Sequence, residues 1–244
     1  MRFLGLIVSL LLSFSSFAQI GGKSTYQFLN LISSAKLASL GGYAIAIPDA
    51  DIEMAYFNPA LIDSSLHKEL NLNYVNYFSD INYGFAGYAY RIKGLGVIAT
   101  SVKYISYGDF LMADETSAII GEFSSNETAF NLGWSNSYKY GLKYGFNLKC
   151  VMSNFYDYTS TGVLLDLGGT WSRPQNGIML GVVVKNIGSQ IKTYTPDNFE
   201  PLPFEIQAGV SKKLEHAPFR FSANFHNLEV LDFYYESPNN LETT

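Results

Sequence analysis

Ser33-Ser34-Ala35-Lys36 sets a hydroxyl and an amine three residues apart, the spacing of an S-x-x-K nucleophile that would pass through an acyl-enzyme. Lys192-Thr193 and Ser124-Ser125-Asn126 loosely echo the two motifs that accompany it. That chemistry needs Ser and Lys on one helix of an α/β domain and a Lys-Thr-Gly edge strand. Here Tyr194 stands where the Gly should be, and the chain around these residues alternates like strands, so no catalytic residue is expected. Asp49, Asp51 and Glu53 could offer oxygen ligands to Ca²⁺, but the rest of a calcium loop is missing and turn residues are the simpler reading. His67, His216 and His226 lie far apart, with no partner at metal-ligand spacing. Cys150 is the single cysteine and falls in the apolar series Tyr144, Phe146, Leu148, Cys150, Met152, which reads as a small hydrophobe rather than a reactive thiol. Asn126-Glu127-Thr128 fits a glycosylation acceptor, a three-residue pattern too common to carry weight. Neither metal nor cofactor is expected.

The elements that would position any site are strands. Phe219, Phe221, Ala223 and Phe225 alternate with Arg220, Ser222, Asn224 and His226, so the segment has one apolar and one wet face. Similar stretches recur from Leu70 to Leu228. Aromatic residues make up 16% of the 244-residue chain, with 18 Tyr and 18 Phe, whereas charged residues make up 15% against about 25% in an ordinary soluble domain. A formal net charge of -5, with scattered basic residues, excludes a nucleic-acid partner on electrostatic grounds.

Residues 1–18 read as a signal peptide: Arg2, an apolar core from Phe3 to Leu12, and the small-x-small site Ser16-Phe17-Ala18. Residues 19–42 are expected to form a short helical plug, built on Phe28, Leu29 and Leu31 and stopped by Gly41-Gly42. Residues 43–244 are expected to form the barrel. Within them Tyr43 to Ile47 could be a first short strand, and Pro48-Asp49-Ala50-Asp51 and Phe57-Asn58-Pro59-Ala60 are turns. Ten or eleven strands of about ten residues follow from the pattern, joined by short turns and by longer loops at Tyr107 to Glu127 and Lys192 to Pro203. Tyr74, Tyr77, Tyr138, Tyr140 and Trp171 fall near strand ends, where an interfacial girdle would sit. The fold class is therefore all-β: an antiparallel up-and-down transmembrane β-barrel, with a soluble sandwich as the other fold compatible with the alternation. The polar tail from Pro238 to Thr244 supplies no closing strand, so the barrel is expected to be incomplete in this chain.

The run Phe28-Leu29-Asn30-Leu31, Ser34-Ala35, Leu40-Gly41-Gly42, Pro48-Asp49-Ala50-Asp51 and Asn58-Pro59-Ala60-Leu61 resembles the start of FadL-like barrels, above all those of the Bacteroidetes type IX secretion system. Leu72 to Tyr77, Tyr107 to Phe110, Asn186 to Lys192 and Ser211 to Arg220 look like the PorQ-like members of that group, which are longer at the C-terminus. The resemblance implies an outer-membrane location and contact with outer-membrane lipid. It also implies partners among other type IX secretion and attachment-complex proteins, the barrel anchoring a surface-exposed partner, and no catalytic residues. The alternative it leaves open is a FadL-like transporter of hydrophobic small molecules, for which the Asn58, Pro59, Ala60 turn and the plug would also be suited.

Overall fold

The computed structural model describes residues 24–230; the signal segment and the C-terminal tail lie outside the described residues. Alternating residues form nine antiparallel strands in one sheet, ordered as in the sequence. They are β1 (Leu70–Asn76), β2 (Asn82–Ile92), β3 (Gly96–Ala113), β4 (Ile119–Ser137), β5 (Leu142–Phe155), β6 (Tyr158–Arg173), β7 (Ile178–Lys192), β8 (Glu205–Lys213) and β9 (Arg220–Phe225). Each strand pairs with its sequence neighbours, the up-and-down order read from the alternation. Among the described residues β1 and β9 are not paired with each other, so the sheet has a seam there.

Inside the sheet lies the segment before β1. It contains a 3₁₀ turn at Gln27–Asn30, helix α1 (Ala35–Ser39), helix α2 (Ile52–Phe57) and 3₁₀ turns at Pro59–Leu61 and Ser64–Leu66. The Ser34 hydroxyl accepts the Leu37 N–H at the start of α1. At its end Gly41 and Gly42 take φ of 80° and 86°, and their N–H groups bond to the Ala38 and Leu37 carbonyls. That is a Schellman closure, the stop expected of this Gly pair. Asp51 caps α2 by accepting the Met54 N–H at 2.7 Å. A six-residue helix is far too short to persist alone, and all six of its residues are buried; the surrounding wall holds it. Every strand supplies part of that wall, from Asn73 of β1 bonded to Glu53 to Asn224 of β9 bonded to the Tyr43 carbonyl.

Three expectations are corrected. Tyr43 to Ile47 is not a strand: Ala44, Ile45, Ala46 and Ile47 are all buried, so this run is enclosed on both sides and has no wet face to alternate with. The interior segment consequently runs on to Leu66 before the sheet begins. Tyr107 to Glu127 is not a long loop but the far part of the β3–β4 hairpin, closed by Asp114, whose carboxylate accepts from Thr116 and Ala118. A register shift between Ser106 and Asp109 flips the alternation there, which hides the strand from a period-two reading. Residues 107–113 and 119–124 pair only with each other and project roughly 20 Å past the neighbouring strands, at about 3.3 Å per residue. Finally, β3 to β7 run to between 14 and 19 residues rather than about ten.

Candidate functional site

The sheet is inside out by the standard of a water-soluble protein. On β4, Ala129, Asn131 and Ser135 point inward and are buried, while Phe130 and Leu132 point outward, 50% and 49% exposed. The same split places Asn147, Lys149 and Ser153 of β5 inside and Phe146, Leu148 and Met152 outside. A wet interior needs polar partners, and the interior segment supplies them.

The turn Asn58-Pro59-Ala60, singled out in the sequence, is seated at the centre. Asn58 Oδ1 accepts the Ala60 N–H at 3.1 Å, and Asn58 Nδ2 donates to the Ile45 carbonyl at 2.8 Å, folding the segment back on itself. Asn147 Nδ2 of β5 donates to the Tyr56 carbonyl at 2.9 Å. Gly168 and Gly145 form the floor: a Cβ on Gly168 would lie 2.3 Å from Asn58 Oδ1, and one on Gly145 would lie 2.8 Å from the Pro59 carbonyl oxygen. No side chain fits at either position without displacing the turn, which explains why strands of this wall carry Gly where they face it. The expected plug residues Phe28 and Leu29 are buried, Leu31 is half-buried, and Gly41 and Gly42 close α1.

Above the turn, alternate strands each aim one lysine at the rings of Tyr56 and Phe57. Lys103 Nζ of β3 stands 4.6 Å from both ring centroids, Lys149 Nζ of β5 4.3 Å from Tyr56, and Lys185 Nζ of β7 5.3 Å from Phe57. Each lysine has a carboxylate. Lys185 bonds Glu205 at 3.0 Å, and Lys103 lies 3.8 Å from Glu53 while donating to the Leu31 carbonyl at 2.5 Å. Lys149 Nζ comes within 2.6 Å of Asp166 Oδ2, close enough for an ion pair though off the angle of a hydrogen bond. Asp166 Oδ1 also accepts the Asn186 N–H at 2.8 Å. That bond closes a bulge between β6 and β7, where Asn186 adopts φ of 58°, a conformation Asn tolerates better than most residues. Buried pairs of this kind contribute little net stability against a hydrophobic core, yet they fix one arrangement, because either charge left alone is expensive.

The motif residues are spent on the same architecture. Ser33 donates through its hydroxyl to Glu53 at 2.7 Å, and Lys36 donates to the Asp49 carbonyl, so the S-x-x-K hydroxyl and amine have separate partners. Asp51 is a helix cap, and Glu53, far from being a turn residue, is fully buried on α2 and bonded to Ser33 and Asn73. His67 Nδ1 accepts the Arg91 N–H, His226 stacks on Tyr43 at 4.7 Å, and His216 lies in the β8–β9 turn. Among the described residues no cluster of three His, Cys, Asp or Glu side chains could hold a metal. Sequence reasoning passed over Lys103, Lys149, Lys185, Asp166 and Glu205. Their signal was a charge on the small-residue face of a strand, in a chain where charge is scarce.

A further tie lies at the end of the interior segment, where Lys143 Nζ bonds Asp63 at 2.8 Å. Burial by itself raises the Asp63 carboxyl, but hydrogen bonds from Lys143 and Ser65 and the lysine charge outweigh it and hold the group below its usual range. A carboxyl lowered on folding stabilises the fold above its unfolded value of about 3.9, and that contribution is lost as pH falls through the folded value. Stability followed by denaturant midpoint should therefore drop from pH 5 to pH 3 by a smaller amount in Asp63→Asn than in the parent chain; equal drops would refute the assignment.

The chain matches no protein-family model and no curated protein.

Proposed function

We propose that this chain is an outer-membrane barrel component of the type IX protein secretion system that anchors a surface partner of the cargo attachment complex. The observation that carries the membrane half is the inverted partition of the sheet: large apolar side chains such as Phe130, Leu132, Leu148 and Met152 face outward and are exposed, while the charged Lys103, Lys149, Asp166 and Lys185 face inward and are buried, with polar and a minority of apolar residues beside them. In water such a surface would be a severe aggregation liability; in lipid it is the required one. Exposed aromatics gather near both ends of the sheet, Tyr77, Phe78 and Tyr156 at one and Tyr138 and Tyr140 at the other, as interfacial belts do. The secretion half rests on the resemblance of the N-terminal run and of the segments at Leu72, Tyr107, Asn186 and Ser211. The projecting β3–β4 hairpin and the β7–β8 loop, residues 193–204, offer the partner its surface.

A transporter of hydrophobic small molecules would need an apolar pocket between plug and wall. One space there, of about 190 Å³, has a mixed lining of Lys185, Glu205 and Gln207 along with Ile45 and Phe57, and a larger aromatic cleft at the rim carries the carboxylates Glu127 and Glu200; neither is the purely apolar pocket a transporter needs, which favours the anchor. The reading is tested by chemical crosslinking of the tagged chain in outer-membrane fractions, followed by mass spectrometry. Secretion-system proteins among the adducts are expected. A chain that yields none of them, and copurifies with lipid in its interior, would be a transporter.

A further inference from the structure

At the end of the sheet where the interior segment enters, a cleft of about 430 Å³ opens between that segment, the base of the β3–β4 hairpin and the β7–β8 loop. Its walls are aromatic. Tyr107 and Phe155 lie 5.4 Å apart between ring centroids, and Phe155 and Tyr194 5.9 Å apart; Tyr158 also lines the space. Two hydroxyls brace them: Tyr107 Oη donates to Glu127 at 2.5 Å and Tyr194 Oη to Ser153 at 2.5 Å. The cleft also holds two carboxylates, Glu127 and Glu200, and among the described residues no basic side chain lines it. Glu200 is held by its own N–H, which donates to Gln190 Oε1 at 2.7 Å.

Glu127 sets the chemistry. It is only 3% exposed, yet among the described residues it forms no ion pair, in contrast to Glu53, Asp166 and Glu205. A carboxylate this deep is costly without a cation beside it. Aromatic faces around it attract weakly hydrated organic cations, whereas a hard metal ion would demand several more oxygen ligands. We propose that the cleft binds an organic cation, an alkylammonium or guanidinium group, with Glu127 as the buried counter-charge and Tyr107, Phe155 and Tyr194 as its walls. Such a group is carried by free amines and by lysine or arginine side chains of a polypeptide. This inference does not rest on the secretion reading.

Titration calorimetry on the purified full chain in detergent tests it, with n-pentylammonium, n-butylguanidinium and the neutral n-pentanol as probes. Saturable binding of the two cations and none of pentanol is expected. Glu127→Gln, whose amide oxygen can still accept from Tyr107, should weaken cation binding about tenfold or more, and Glu200→Gln on the loop should weaken it severalfold. N-acetyl-lysinamide separates the sources: binding as tight as that of pentylammonium identifies a polypeptide side chain as the ligand, and much weaker binding a free amine. Equal binding of pentanol, or cation binding untouched by both Glu variants, overturns the proposal. So does a gain of tenfold or more in Lys23→Gln, which would make the chain's own lysine the occupant.

Discussion

Asp166→Ala should destabilise the fold by about 3–5 kcal/mol, measured as the shift in guanidinium unfolding of the detergent-solubilised protein followed by Trp134 and Trp171 fluorescence. The substitution removes the carboxylate 2.6 Å from the Lys149 ammonium, which is 1% exposed and, among the described residues, pairs with no other acid; only the neutral Asn186 Oδ1, at 3.2 Å, is left to accept from it. It also removes the acceptor for the Asn186 N–H that closes the bulge in β7. The pair itself need not be strongly stabilising, and that is what a double variant separates. Lys149→Met with Asp166→Leu removes both charges, so most of the loss should be recovered, leaving about 1 kcal/mol for the unmet Asn186 N–H. If the double variant is as damaged as Asp166→Ala alone, the cost lies in the bulge and not in the orphaned charge.

The second large effect is at Tyr56, whose ring receives Lys103 on one approach and Lys149 on another, at 4.6 and 4.3 Å. Tyr56→Ala should cost about 3–5 kcal/mol from the cavity alone, before the two cation–π contacts are counted. The ring also packs edge-on against Phe57 and Phe85, at 5.4 and 5.8 Å, so its loss loosens the interior segment from β2. Tyr56→Phe should behave in the opposite way. Among the described residues the buried Tyr56 hydroxyl has no hydrogen-bond partner, so its removal is expected to be neutral or stabilising in the same unfolding experiment. A Phe variant as unstable as the Ala variant would mean that the hydroxyl, not the ring, is the group that matters.

Asp166 is placed by the strand pattern but not explained by it, and Tyr56, on α2, lies outside that pattern altogether. Alternation located the sheet because its period survives in the residues themselves: Phe130 and Leu132 against Asn131 and Gly133 leave only the question of which face is inside. The Schellman stop at Gly41-Gly42 and the turn at Asn58-Pro59-Ala60 were legible for the same reason, since local backbone chemistry decides them. What the turn sits on was not legible. Gly168 and Gly145 are more than 80 residues away in sequence from Pro59, and their role appears only when β5 and β6 wrap the segment. Ala44 to Ile47 misled as a strand because enclosure on both sides mimics a short buried strand. Residues 107–127 misled as a loop because a bulge breaks the period. The three lysines were visible as charges on wet faces, but their convergence is a property of the curvature of the sheet, which no spacing encodes.

Cys150 provides the most direct test of the claim that the outward face meets lipid. It is the single cysteine, it is exposed, and it lies in mid-strand on β5 between Phe130 of β4 and Val163 of β6. The protein labelled there with pyrene maleimide and reconstituted in bilayers should show fluorescence quenched by lipids brominated deep in their acyl chains and insensitive to aqueous iodide. Quenching by iodide, with no response to the brominated lipids, would place that face in water and contradict the account.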